Sequence, residues 1–190
     1  GENFSKYFGD HEVVDKNKDR DAFTPQTYLP YIPWVLVNGI EGIAVGFACR
    51  FLPHDPKALA ESCLLALQQQ KSPSKYPISV IPSFPGFTGS VVQESDTKYI
   101  TRGIVSRTAR NTWQITEAPW GYDREQLFDK LVDLQEAGKI VDFSDDCDSS
   151  GFNFSVKVDT ETDKKLQAGD PVAFFKLEKS FTENYTTLDE

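Results

Sequence analysis

Apolar positions along the chain fall into stretches of two periods, separated by polar runs. From Gly1 to Thr27 there is little rhythm. The charged run Asp15–Asp21 (DKNKDRD) dominates, and the segment reads as a solvated connector with at most a short helix at Phe4–Phe8. At Tyr28 the character changes to YLPYIPWVLVNGIEGIAVGFACRF, which ends at Phe51. The β-formers Trp34–Val37 lead into Asn38-Gly39, a tight-turn signal. Each glycine would cost a helix about 1 kcal/mol, so this stretch predicts two short buried strands flanking a glycine-rich loop.

Asp55-Pro56 opens a helix, since Asp caps free N–H groups and Pro suits the first turn. Leu59, Cys63, Ala66 and Leu67 share its buried face, and it runs to about Gln70. Lys71–Pro85 (KSPSKYPISVIPSFP) is proline-rich and extended. Strands follow at Phe87–Glu94, Tyr99–Thr108 and Thr112–Thr116, joined by Ser95-Asp96-Thr97 and Ala109-Arg110-Asn111 into an antiparallel meander. Asp123 caps a second helix with Gln126 three residues on. Leu127, Leu131 and Leu134 form its stripe and Gly138 ends it. Phe152, Phe154, Val156 and Val158 alternate with polar neighbours as a half-buried strand. A short helix near Asp163–Ala168, the apolar run Pro171–Leu177 and a polar tail complete the chain. The class is α+β, a mainly antiparallel sheet covered by helices.

Composition narrows the class. Hydrophobic residues at 39% and aromatics at 13% exclude intrinsic disorder. The longest apolar run, Tyr31–Phe51, is broken by Pro33, Asn38, Glu41 and Arg50, so no membrane span is expected. The polar opening resembles no secretory leader, which points to the cytoplasm. Cys49, Cys63 and Cys147 lack C-x-x-C spacing or a nearby histidine pair, so free thiols are expected and no metal site. Methionine is absent even at position 1, through initiator removal or, preferably, because this is an internal piece of a longer protein. The net charge of -9 hides a gradient. Residues 57–110 carry 7 basic and 3 acidic side chains, whereas residues 111–190 carry 8 basic and 18 acidic. The whole should repel nucleic acid, but the basic middle keeps such a partner open.

Catalytic constellations are scarce. His54, Asp55 and a serine could be imagined as a triad, yet sequence neighbours do not reach that geometry unaided. Asp145, Asp146 and Asp148 lack the glycine and terminal glutamate of a calcium loop and read as a solvated acidic turn. Gly39-x-x-Gly42-x-x-x-Gly46 lacks the Lys-Ser/Thr of a phosphate loop. Ile40, Ile43 and Val45 are the oddity, large apolar side chains among glycines and alanines. They suit a buried hairpin, which the residues alone favour, or a wedge that enters an apolar space such as a DNA base step.

Residues 28–48 strongly resemble type IIA DNA topoisomerases, in the segment after the catalytic-tyrosine region. The shared features are the ordered prolines Pro30 and Pro33 and the run Asn38-Gly-Ile-Glu-Gly-Ile-Ala-Val-Gly46. Pro53-His54, Phe87-Thr-Gly89, Ile115-Thr-Glu-Ala-Pro119 and Phe174-Phe-Lys-Leu177 extend the likeness, in a mixture most like the bacteriophage branch. The resemblance implies that residues 1–27 end a winged-helix region and that 28–190 form a tower-like domain with a DNA-wedge loop at 38–48. Ile43 then matches the intercalating isoleucine, and Asn38, Gly39, Ala44, Val45 and Arg50 its DNA-facing loop. Lys98, Arg102 and Arg107, with Arg110, Lys57, Lys71 and Lys75, are candidate phosphate contacts, or else charges guarding a strand edge. No catalytic residue is expected within the chain: Tyr7 follows a lysine, lies too close to the motif and reads as a packing residue, which places the nucleophile upstream. Mg2+ and ATP would act through other parts of the holoenzyme. The implied partners are a gate duplex, other topoisomerase subunits and a second copy, in the host cytoplasm if the protein is phage-encoded; alone, the piece would be monomeric and inactive. The alternative is an acidic α+β protein-interaction module with Ile43 in its core.

Overall fold

Pro33 starts a turn that the strand pattern does not foresee. Leu36 N–H donates to the Pro33 carbonyl over 2.9 Å, and Trp34–Asn38 coils into a short helix, α1. The computed structural model describes residues 30–68, 80–149 and 151–186. The connector 1–27, its Phe4–Phe8 helix, Tyr7, Lys71 and Lys75 lie outside the described residues. The chain divides into two compact units, one of residues 1–82 and 185–190 and the other of 83–184.

In the first unit, Gly39 ends α1 at φ 68°. Asn38-Gly39 is therefore a helix stop, and the hairpin turn expected there lies further on, at Val45-Gly46, where Gly46 has φ 82°. Only glycine fits position 39, because a Cβ there would stand 2.8 Å from the Phe51 carbonyl oxygen. Strands β1 (Ile40–Ala44) and β2 (Phe47–Phe51) form a two-stranded antiparallel sheet, so the glycine-rich loop is itself mostly strand. Helix α2 follows at Pro56–Gln68. Its N-terminus is capped as predicted, Ala58 N–H donating 2.9 Å to Asp55 Oδ1. Of its expected stripe only Leu59 is buried; Cys63 and Ala66 are half-buried and Leu67 is exposed.

The second unit has two antiparallel sheets where one meander was expected. The predicted strand 99–108 breaks at Gly103 into β4 (Lys98–Arg102) and β5 (Ile104–Ala109). Gly103 N–H donates 2.9 Å to the Leu177 carbonyl, and a Cβ on Gly103 would lie 2.3 Å from the Glu117 carbonyl oxygen. The backbone passes so closely there that the ladder cannot continue. The first sheet orders β3 (Ser90–Ser95), β4 and β9 (Glu178–Thr182), the last recruited from the supposed polar tail. The second orders β5, β6 (Thr112–Glu117), β8 (Phe154–Lys157) and β7 (Asp142–Asp145). Strand β7 takes in Asp145, expected in an acidic turn.

Helix α3 (Arg124–Glu136) matches its prediction. Asp123 Oδ1 accepts from Gln126 N–H over 2.7 Å, Gly138 follows at φ 67°, and Leu127, Leu131 and Leu134 are buried. They share one core with Ile115, Phe154 and Val156. Helix α4 (Thr160–Ala168) is capped by Asp159, and Asp170 caps the short α5 (Pro171–Phe174). The aromatic rings of Phe84 and Trp120 stack at 5.0 Å, with Phe181 of β9 tilted against Phe84 at 5.7 Å.

Candidate nucleic-acid interface

The register of the β1–β2 hairpin fixes which side chains share a face. Ile43 lies opposite Ala48 and Glu41 opposite Arg50, so these four stand on one face. Ile40, Phe47 and Phe51 stand on the other. Ile43 is 86% exposed and Val45, in the turn, fully so. The strands are therefore not buried as expected, and the interaction-module alternative, which needed Ile43 in a core, has no such core to draw on. Ile43 projects because little surrounds it: its sequence neighbours are Gly42 and Ala44, and Ala48 is its cross-strand partner. Leaving such a side chain in water forgoes roughly 1.5–3 kcal/mol that burial would provide.

The base of the hairpin is firmer. His54 N–H donates 2.8 Å to the Leu36 carbonyl, and His54 Nδ1 lies 3.2 Å from the same oxygen. The ring is buried, tying α1 to the chain after β2. His54 thus serves as an anchor, in place of the triad role weighed for it. The Phe51 ring packs at 5.3 Å on Tyr185. Arg50 pairs with Glu41 across the strands. Glu41 was not singled out among the site residues; placing the turn at 45–46 makes it face Arg50, and that turn was misplaced.

Three basic candidates of the second unit have acidic partners. Lys98 Nζ reaches Glu94 at 2.6 Å in an exposed pair. Arg102 is held by Glu178, Nε to Oε1 2.8 Å, and by Asp170. Arg107 forks onto Asp163, which also accepts from Trp113 Nε1 over 3.0 Å. These partners lie 56 to 76 positions away from the two arginines, beyond the reach of spacing arguments. Hydrogen bonding by Arg107 holds the Asp163 carboxyl down to about 2, with Trp113 adding to the effect. Arg110 and Lys57 are exposed.

The acidic turn is internally bonded. Asp145 accepts from Arg124 Nε over 2.7 Å and from Cys147 N–H over 3.1 Å, while Asp146 accepts from the Ser144 hydroxyl over 3.1 Å. Among the described residues no three histidine, cysteine or acidic side chains group to hold a metal ion, and no helix is long and apolar enough to cross a membrane.

Comparison with known proteins extends this picture to the family. Residues 6–190 match the family described by the A-type subunit of DNA gyrase/topoisomerase IV. The chain is 35% identical over 194 residues to the DNA topoisomerase medium subunit of Enterobacteria phage T4, covering 99% of this chain and 42% of that protein. It is 26% identical over 175 residues to DNA topoisomerase 2 of Plasmodium falciparum, covering 90% of this chain and 12% of that one. It thus spans well under half of either relative. The crystal structure of the Plasmodium falciparum topoisomerase II DNA-binding, cleavage and re-ligation domain shares the fold, with a TM-score of 0.72, 24% identity, and coverage of 93% of this chain and 24% of that one. With a match that runs through nearly all of the sequence, this chain belongs to the DNA gyrase/topoisomerase IV family of type II DNA topoisomerases.

Proposed function

We propose that this chain is the wedge and tower portion of a type IIA topoisomerase cleavage subunit, and that it bends the gate duplex by inserting Ile43 between base pairs. The observation that carries this is the outward projection of Ile43 from a slim two-stranded hairpin whose neighbouring positions are glycine and alanine. Prying a base step apart costs a few kcal/mol, and bending a site costs on the order of 1–6 kcal/mol more. Burying one isoleucine returns about 1.5–3 kcal/mol. The wedge alone does not cover the bend. Phosphate contacts across the rest of the subunit must supply the balance, so affinity falls steeply with salt.

Asn38, Gly39, Ala44, Val45 and Arg50 form the loop that accompanies Ile43 to the DNA. Lys98, in an exposed pair, can exchange Glu94 for a phosphate. Arg102 and Arg107, each held by a carboxylate, contribute mainly by holding their own unit in shape. Flexible pyrimidine–purine steps are favoured through deformability, without base-edge hydrogen bonds. The nucleophilic tyrosine, Mg2+ and ATP act elsewhere in the assembly, which pairs two cleavage subunits in the host cytoplasm.

The test is fluorescence-transfer bending of a gate duplex by the intact subunit in its holoenzyme. Ile43→Ala should sharply reduce bending and double-strand cleavage together. Unchanged bending would remove the wedge role. The isolated chain should not relax supercoiled DNA; relaxation that survives Tyr7→Phe would refute the upstream location of the nucleophile.

A further inference from the structure

Between Asp21 and Asp55 only two side chains carry a formal charge, Glu41 and Arg50. The hairpin sets them opposite each other, on the face that carries Ile43 and one rung behind it. From this placement we infer that Glu41 is a specificity-determining residue: it withholds the Arg50 guanidinium from straight duplex and releases it once Ile43 has entered a base step. The inference rests on the wedge reading.

Two residues along a strand span ~6.8 Å. The minor groove, through which apolar wedges commonly enter, is about 7.5 Å deep and about 6 Å wide. With the Ile43 tip among the bases, the guanidinium stands at the groove mouth, where negative potential attracts arginine. The Glu41 carboxylate stands there too, and phosphates repel it. A hairpin built for affinity alone would carry Arg50 without Glu41. Paired, the two charges cancel, and the tip has no net electrostatic pull toward undeformed DNA. Both side chains are partly exposed, and exposed ion pairs are weak, so the pair can be exchanged once the wedge is seated. The hairpin then binds through deformation first and charge second, which separates flexible from stiff sequences.

The experiment uses the intact subunit in its holoenzyme with two duplexes, one centred on TA steps and one on a stiff A-tract, titrated against salt. Glu41→Gln should tighten binding to the A-tract duplex by about 3-fold and steepen the salt dependence by roughly 0.9 in log–log slope, the contribution of one phosphate contact. The preference for the TA duplex should narrow by a similar factor. Arg50→Ala should move the slope the other way, and Glu41→Gln in the Arg50→Ala background should change neither quantity. The inference is overturned if Glu41→Gln matches wild type in slope and preference. It is overturned equally if that variant weakens binding as Arg50→Ala does, the mark of a mere prop, or gains as much without Arg50, the mark of a general charge effect. Ile43→Ala runs alongside: unchanged bending there defeats the wedge reading, whereas lost bending with a silent Glu41→Gln defeats this inference alone.

Discussion

Arg107 grips Asp163 with two hydrogen bonds, Nε to Oδ1 at 2.9 Å and a terminal nitrogen to Oδ2 at 2.7 Å, joining β5 to α4. The carboxylate is only 3% exposed and also accepts from Trp113. Hydrogen bonding by Arg107 and Trp113 lowers its pKa from 3.8 to about 2. A depressed folded-state value means stability that is fully present above pH 3.8 and lost as pH falls toward 2. Urea unfolding followed by tryptophan fluorescence should therefore show a falling midpoint across that acid window. Asp163→Asn should abolish that part of the pH dependence and lower the melting temperature at pH 7 by several degrees. Arg107→Ala should lower it too, because it leaves a buried carboxylate without its cation.

Leu131 and Ile43 are both large aliphatic residues, with opposite consequences when shortened. Leu131 is fully buried under the four-stranded sheet, so Leu131→Ala should cost about 2–5 kcal/mol in chemical denaturation. Ile43 projects into solvent, and Ile43→Ala should stay within about 0.5 kcal/mol of wild type. A stability loss as large as that of Leu131→Ala would show that Ile43 packs inside the fold.

Gly39 links α1 to the hairpin at φ 68°, with the Phe51 carbonyl 2.8 Å from where a Cβ would stand. Gly39→Ala should cost about 1–3 kcal/mol through backbone strain alone. It should also blunt DNA bending by the intact subunit, because it shifts the base from which Ile43 projects. Wild-type bending at reduced stability would show that the hairpin's aim tolerates such a shift.

Local signals in the sequence carried the elements whose causes are local. Asp123, Gln126, the leucine stripe and Gly138 specify α3 within sixteen positions, and the structure returns each of them. The alternation of Phe154, Val156 and Val158 marks β8 for the same reason. What depended on distant chain was illegible. Gly103 looked like a tolerated glycine inside a strand, because the carbonyls of Glu117 and Leu177 that crowd it come from elsewhere. Arg102 and Arg107 read as free cations, because their carboxylates arrive from the far end of the chain. Within the candidate interface, the exposure of Ile43 could not be read from apolar periodicity, which marks hydrophobic residues for burial. It became an expectation only through family likeness.

Strand β9 has a practical corollary. Residues 178–182 run along β4 as the outer rail of the three-stranded sheet, while Glu183 N–H donates 2.8 Å to the Thr97 carbonyl and Lys179 Nζ donates 2.8 Å to that of Gly121. Trimming the polypeptide just after Leu177, where the familiar motifs stop, would strip that rail, bare the flank of β4 and remove Phe181 from the Phe84–Trp120 stack. Expression boundaries for this region therefore belong beyond Glu183, and shorter versions should aggregate through the opened edge.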